Sequence, residues 1–157
     1  MKSTSYTLIQ EPAQQVYYHI LEYALKQVQI GLFVVRPDMP LSTQGTNLIE
    51  ELKPFIQKQI VSDEWPGTRL LTGNAIVYYF VYNRETLAIL KKASDRLYQW
   101  LQPDLPEDLC LLKSYNKPWL VSISHEKDAY FILDEAEFSS LVIDIPELGN
   151  RLSKDMC

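Results

Sequence analysis

The densest run of chemically capable side chains is Ser122-Ile123-Ser124-His125-Glu126-Lys127-Asp128. An unperturbed imidazole titrates at about 6.5, so a histidine beside carboxylates is suited to general base work or to holding a cation. Strand alternation would put Ser122 and Ser124 on one face and Ile123 on the other, crowding His125, Glu126 and Asp128 at a turn. The alternative is a polar hairpin turn whose side chains bond to the backbone. The only histidines are His19 and His125, so a histidine site must recruit distant carboxylates.

Glu107 and Asp108 are adjacent carboxylates just ahead of the apolar run Leu109-Cys110-Leu111-Leu112. They suit a cation or a basic partner, or they solvate a loop; once a strand has begun they point in opposite directions. Trp65, beside Pro66, and Trp119, beside Pro118, read as core lids or as anchors in a partner pocket. The candidate binding set is therefore His125, Glu126, Asp128, Glu107, Asp108, Trp65 and Trp119. No metal site and no cofactor are expected, and no residue is assigned as catalytic.

Other chemistry lacks a motif. There is no Gly-rich phosphate loop, no G-x-S-x-G elbow and no closely spaced cysteine pair. Cys110 reads as a buried hydrophobe rather than a nucleophile. Cys157, the last residue given, reads as mobile.

The elements that must position these residues are marked by Pro, Gly and hydrophobic periodicity. Residues 12–29 predict a helix with Val16, Ile20, Ala24 and Val28 on one face, and Gly31 near its stop. Residues 32–35 predict a strand. Residues 47–61 predict a second helix, with Asn47 and Glu50 at capping-box spacing and a kink at Pro54. Residues 63–68 read as a turn, and residues 70–82 as a hairpin or its remnant. Its run from Ile76 to Tyr82 is apolar on both parities, as in a strand covered on both faces. Asn83 caps a predicted helix over 84–100. Three strands come next, over 109–113, 119–124 and 129–133, with a short hairpin loop at 114–117. Asp134 and Glu137 then open a last short helix.

The expected fold is α+β: an antiparallel or mixed sheet with a C-terminal β-meander and about four helices packed on it. One domain is expected over residues 1–148, with a flexible tail over 149–157. The 157 residues, 46% hydrophobic and 22% charged, suit one globular domain with its own core. The start of the sequence lacks a signal-peptide pattern. Its longest apolar run, Ala75 to Tyr82, is far short of the ~20 residues a membrane helix needs. A cytoplasmic protein off the membrane is expected.

Charge narrows the partners. The formal net charge is −5, and residues 101–157 hold eleven Asp/Glu against five Lys/Arg. That excess repels phosphate, so nucleic acid is not an expected partner, whereas a basic protein is. Ten tyrosines add amphipathic contact area suited to cores and binding faces.

Four blocks stand in order: Glu64-Trp65-Pro66-Gly67-Thr68, Leu97-Tyr98-Gln99-Trp100, Leu105-Pro106-Glu107-Asp108-Leu109-Cys110 and Trp119-Leu120-Val121-Ser122-Ile123-Ser124-His125-Glu126. Together, over roughly residues 60–140, they resemble a family of small bacterial proteins often labelled "stage III sporulation protein AH". The resemblance implies a bacterial, soluble protein and supplies no catalytic residues. Three functions stay open: a binding or interaction domain of inhibitor or immunity type, a small hydrolase or metal-dependent enzyme using His125 with nearby carboxylates, and a ligand-sensing regulatory domain.

Overall fold

The computed structural model describes residues 2–155. Its elements in chain order are β1 (Thr4–Leu8), α1 (Gln15–Ala24), β2 (Ile30–Val35), α2 (Thr43–Leu52), β3 (Ile56–Ser62), β4 (Glu64–Trp65) and β5 (Thr68–Arg69). Then come β6 (Ala75–Val81), α3 (Arg84–Ala93), β7 (Glu107–Leu112), β8 (Pro118–Ile123), β9 (Asp128–Leu133), α4 (Glu135–Asp144) and β10 (Leu152–Lys154). The fold is α+β, as expected, and includes the C-terminal meander β7-β8-β9. Eight strands form one sheet in the order β10-β1-β9-β8-β7-β2-β6-β3, while β4 and β5 form a separate hairpin. Every pairing is antiparallel.

All four helices contribute to the core on one face of the sheet. Tyr17, Ile20 and Leu21 of α1, Leu48 and Leu52 of α2, Leu87 and Leu90 of α3 and Leu141 of α4 join Phe33, Phe80, Leu109, Leu111, Trp119 and Phe131 from the strands. The 3.6-residue period of the helices and the two-residue period of the strands deliver these side chains to a common layer. Helix starts are locally encoded. Asn83 accepts from the Thr86 amide, and Asp134 from the Glu137 amide, each in a reciprocal capping box.

The opposite face carries a smaller core of Leu32, Val34, Ala75, Val77, Cys110, Leu112 and Val121, with Trp65 of the β4-β5 hairpin buried against it. Gly67 lets that hairpin settle. Its φ is +84°, and a Cβ there would come within 2.8 Å of Val121 Cγ1. The rest of this face is less covered: Tyr79 and Val81 of β6 and Tyr130 and Ile132 of β9 are only half-buried.

Several sequence expectations are corrected. The predicted helix over 47–61 is α2, which starts at Thr43 behind a Ser42 cap and gives way at Lys53–Phe55 to a 3₁₀ turn. Pro54 ends the helix instead of kinking it, because it cannot supply the next backbone donor. Residues 56–62 are then an edge strand paired with β6. Residues 63–68, expected as a turn, fall mostly in the β4-β5 hairpin (residues 64–69), and Leu70-Leu71 takes no part in a strand. Gly31 lies inside β2, where the Phe80 ring occupies the space a Cβ would need. The predicted helices over 12–29 and 84–100 are each ten residues long, and a 3₁₀ turn spans Leu97–Gln99. β1 lies ahead of the first predicted element, the helix over 12–29.

The stretch 149–157, expected as a tail, carries secondary structure where it is described. Leu152–Lys154 forms β10, bonded to β1 in register Tyr6↔Lys154 to Leu8↔Leu152. Asp155 accepts from the Thr7 hydroxyl at 2.9 Å. Cys157 lies outside the described residues. Among the described residues no helix is long and apolar enough to cross a membrane.

Candidate His–carboxylate site

The candidate site lies where β7 begins and where β8 turns into β9. Glu107 and Asp108 open β7, and His125 sits in the 3₁₀ turn Ser124–Glu126. One ligand atom from each of Glu107, Asp108 and His125 falls within 4.8 Å of the others. Glu107 is 2% exposed and Asp108 fully buried, while His125 is exposed.

Simple alternation would separate the two carboxylates. They converge because Asp108 has φ +57°, a left-handed conformation that interrupts the pleat. A β-branched or bulky residue rarely adopts this region, whereas Asp is among the residues that tolerate it. The Asp108 amide is bonded to the Trp100 carbonyl at 3.1 Å, so the preceding loop turns back on the start of the strand.

Each carboxylate is held by several groups. Asp108 Oδ2 accepts from the Trp65 indole N–H at 3.0 Å, and Oδ1 from the Ser124 amide at 2.9 Å. Glu107 Oε2 accepts from the Gln102 amide at 3.3 Å. Arg36 Nε stands 3.2 Å from Glu107 Oε1. That ion pair is close but misaligned: among the described residues the buried Nε has no hydrogen-bond partner. The Arg36 guanidinium also lies 5.7 Å from the Trp65 ring centroid, within cation–π range. Gln102 fixes the Arg36 loop: its Oε1 accepts from the Arg36 amide, and its Nε2 donates to the carbonyls of Arg36, Met39 and Pro40.

Burial pushes both carboxyl groups above their ordinary range. For Asp108 the Trp65 and Ser124 hydrogen bonds, His125 and Arg36 oppose that rise; for Glu107 Arg36 opposes it while Asp108 adds to it. Two adjacent, desolvated carboxyl groups are more comfortable with a positive charge beside them. The Ser124 hydroxyl, on a residue 2% exposed, has no hydrogen-bond partner among the described residues. It belongs to the residue whose amide holds Asp108.

The predicted candidates divide. Glu107, Asp108, His125 and Trp65 come together. Glu126 is exposed, Asp128 is half-buried opposite Ile123 in the β8-β9 ladder, and neither belongs to the ligand-atom group. Trp119 is a core residue on the helical side, stacked with Tyr23 and edge-on to Phe131. Neither tryptophan is an exposed anchor: Trp65 is 4% and Trp119 0% exposed. The Glu107–Asp108 pair is not a solvated loop end, since both side chains are buried. Cys110 is buried as expected, and burial raises its thiol to about 12.

Arg36 and Gln102 escaped the sequence reading. Arg36 stands between the predicted strand 32–35 and Pro37, and Gln102 precedes Pro103; neither carries a motif. An open depression of about 670 Å³ runs along Ser62 and the hairpin residues 64–69. It meets the carboxylate site only through Trp65.

No protein-family model, curated protein or solved structure matches the chain.

Proposed function

We propose that the protein is a binding domain whose ligand carries positive charge, recognised at the Glu107–Asp108–His125 site. The observation that carries this reading is the pair of adjacent buried carboxylates, opposed by a single misaligned arginine. Such a pair favours an additional cation by Coulomb attraction in a poorly solvated setting. The acidic surplus of residues 101–157 supports a basic protein segment as one such ligand and argues against nucleic acid. A cytoplasmic location and membership of the small bacterial family named above belong to the same proposal.

The test is retention of Lys/Arg-rich peptides on immobilised protein at physiological salt, comparing wild type with Asp108→Asn. Asn keeps the shape of Asp and removes its charge. Retention by the wild type that falls at least several-fold in a folded Asp108→Asn supports the reading. Equal retention by both proteins would remove a basic segment as the ligand of this site.

A second reading is a small hydrolase with His125 as general base. The ligand-atom spacing of 4.8 Å among His125, Glu107 and Asp108 favours it, because proton transfer requires hydrogen-bond reach or one bridging water. Hydrolysis of an ester or phosphoester panel that vanishes in His125→Ala is its expected signature. Activity unchanged in that variant would reject it.

A further inference from the structure

We propose that Glu107, Asp108 and His125 form a binding site for a divalent transition-metal ion such as Zn²⁺ or Mn²⁺. The proposal rests on the cationic-ligand reading above and names the cation. One imidazole nitrogen with two carboxylate oxygens is a donor set for borderline and hard divalent metals.

Size argues for an ion over a side chain. Glu107 and Asp108 are 2% and 0% exposed, so a lysine or arginine of a basic segment would stay at the exposed His125 rim, whereas an ion can enter. A small ion reaches it past His125, which is exposed. The ligand atoms now spread over 4.8 Å. Metal–ligand bonds of ~2.0–2.2 Å place ligand atoms roughly 3–4 Å apart, so binding an ion would draw the set together by about an ångström.

Two further groups bear on the site. The Ser124 hydroxyl is buried without a partner and lies on the residue whose amide holds Asp108 Oδ1 at 2.9 Å. A buried oxygen without a partner, on a residue bonded to Asp108, is a polar group left to be satisfied. Arg36 is the competing cation. Its Nε, 3.2 Å from Glu107 Oε1, makes no aligned hydrogen bond, and its side chain is 22% exposed, so an ion can displace it toward solvent. Trp65, bonded to Asp108, reports on the event by fluorescence.

The experiment is calorimetric titration of the full chain, freed of metal by chelation, with Zn²⁺ and with Mn²⁺, monitored in parallel by tryptophan fluorescence. One ion per chain is expected for at least one metal. His125→Ala, which changes an exposed residue, should weaken binding at least tenfold, and Arg36→Gln should tighten it by removing the competing charge. No stoichiometric binding by the wild type overturns the site, as does unchanged affinity in His125→Ala; weaker binding in Arg36→Gln overturns the competition. If the basic peptides above are retained while no ion binds, the metal site alone fails. If neither binds, the cationic-ligand reading falls with it.

Discussion

The indole N–H of Trp65 donates to Asp108 Oδ2 across 3.0 Å, joining residues 43 positions apart in a buried setting. This bond ties the β4-β5 hairpin to the start of β7, and so couples the lid over the smaller core to the His–carboxylate site. Removing one partner of a buried bond to a charged group costs more than forming the bond gains, because the other partner is left desolvated and unpaired.

Trp65→Phe should therefore destabilise the fold by about 1.5–3 kcal/mol in urea unfolding, combining the lost donor with a smaller ring. His125→Ala, at an exposed position of the same site, should shift stability by no more than about 0.5 kcal/mol. If the histidine variant loses as much as the tryptophan variant, His125 is a structural residue and the site loses its only nitrogen donor.

The hairpin depends on Gly67 for two separate reasons, and Gly73 isolates one of them. Both have positive φ, +84° and +78°, but a Cβ on Gly67 would press on Val121 and Ile123, whereas one on Gly73 meets nothing within 4 Å. Gly73→Ala should cost about 1 kcal/mol from backbone conformation alone. Gly67→Ala should cost distinctly more, and should raise the solvent exposure of Trp65 as seen by fluorescence quenching. Equal losses would mean that the hairpin does not press on β8.

Alkaline pH should unfold the chain partly through Tyr82. Its hydroxyl donates to the Leu21 carbonyl at 2.6 Å, and burial holds its pKa well above the ordinary tyrosine value. A group raised in the folded state stabilises fully below its unfolded pKa, and that stability is lost as pH climbs toward the folded pKa. Loss should begin near pH ~10, where an unfolded tyrosine releases its proton. Tyr82→Phe should lose about 1 kcal/mol near neutrality and show a shallower decline above pH ~10. An unchanged slope in unfolding measured from pH ~8 to ~11.5 would count against this assignment.

Cys110 should resist modification in the folded protein. It is fully buried, and its thiol is raised to about 12, first by burial. The thiolate is the reactive form. Iodoacetamide at pH ~8 should leave the Cys110 peptide unmodified in native buffer and label it fully in urea, read by peptide mass spectrometry. Rapid native labelling would reveal frequent opening of the β7 region.

Much of the secondary structure was legible. The meander β7-β8-β9 and the caps at Asn83 and Asp134 are written in short-range patterns: short apolar runs between polar turns, and carboxamide or carboxylate groups three residues ahead of their partners. The errors fell where local signals conflict. Around Pro54, a run with helical periodicity is broken by a residue without a donor. Residues 56–62 then become an edge strand because β6 offers them a ladder. Leu152–Lys154 carries little pattern of its own; β1 makes it a strand.

Composition and local pattern were enough to specify an acidic chain of mixed α and β structure, and they held the chemically capable residues Trp65, Glu107, Asp108 and His125 in view. Only the folded chain makes these four meet, adds Arg36 and Gln102 to them, and leaves Glu126, Asp128 and Trp119 outside. The reason is geometric. Alternation predicts opposed directions for Glu107 and Asp108. The left-handed turn at Asp108, held by Trp65, Ser124 and the Trp100 carbonyl from distant parts of the chain, brings both carboxylates to one place.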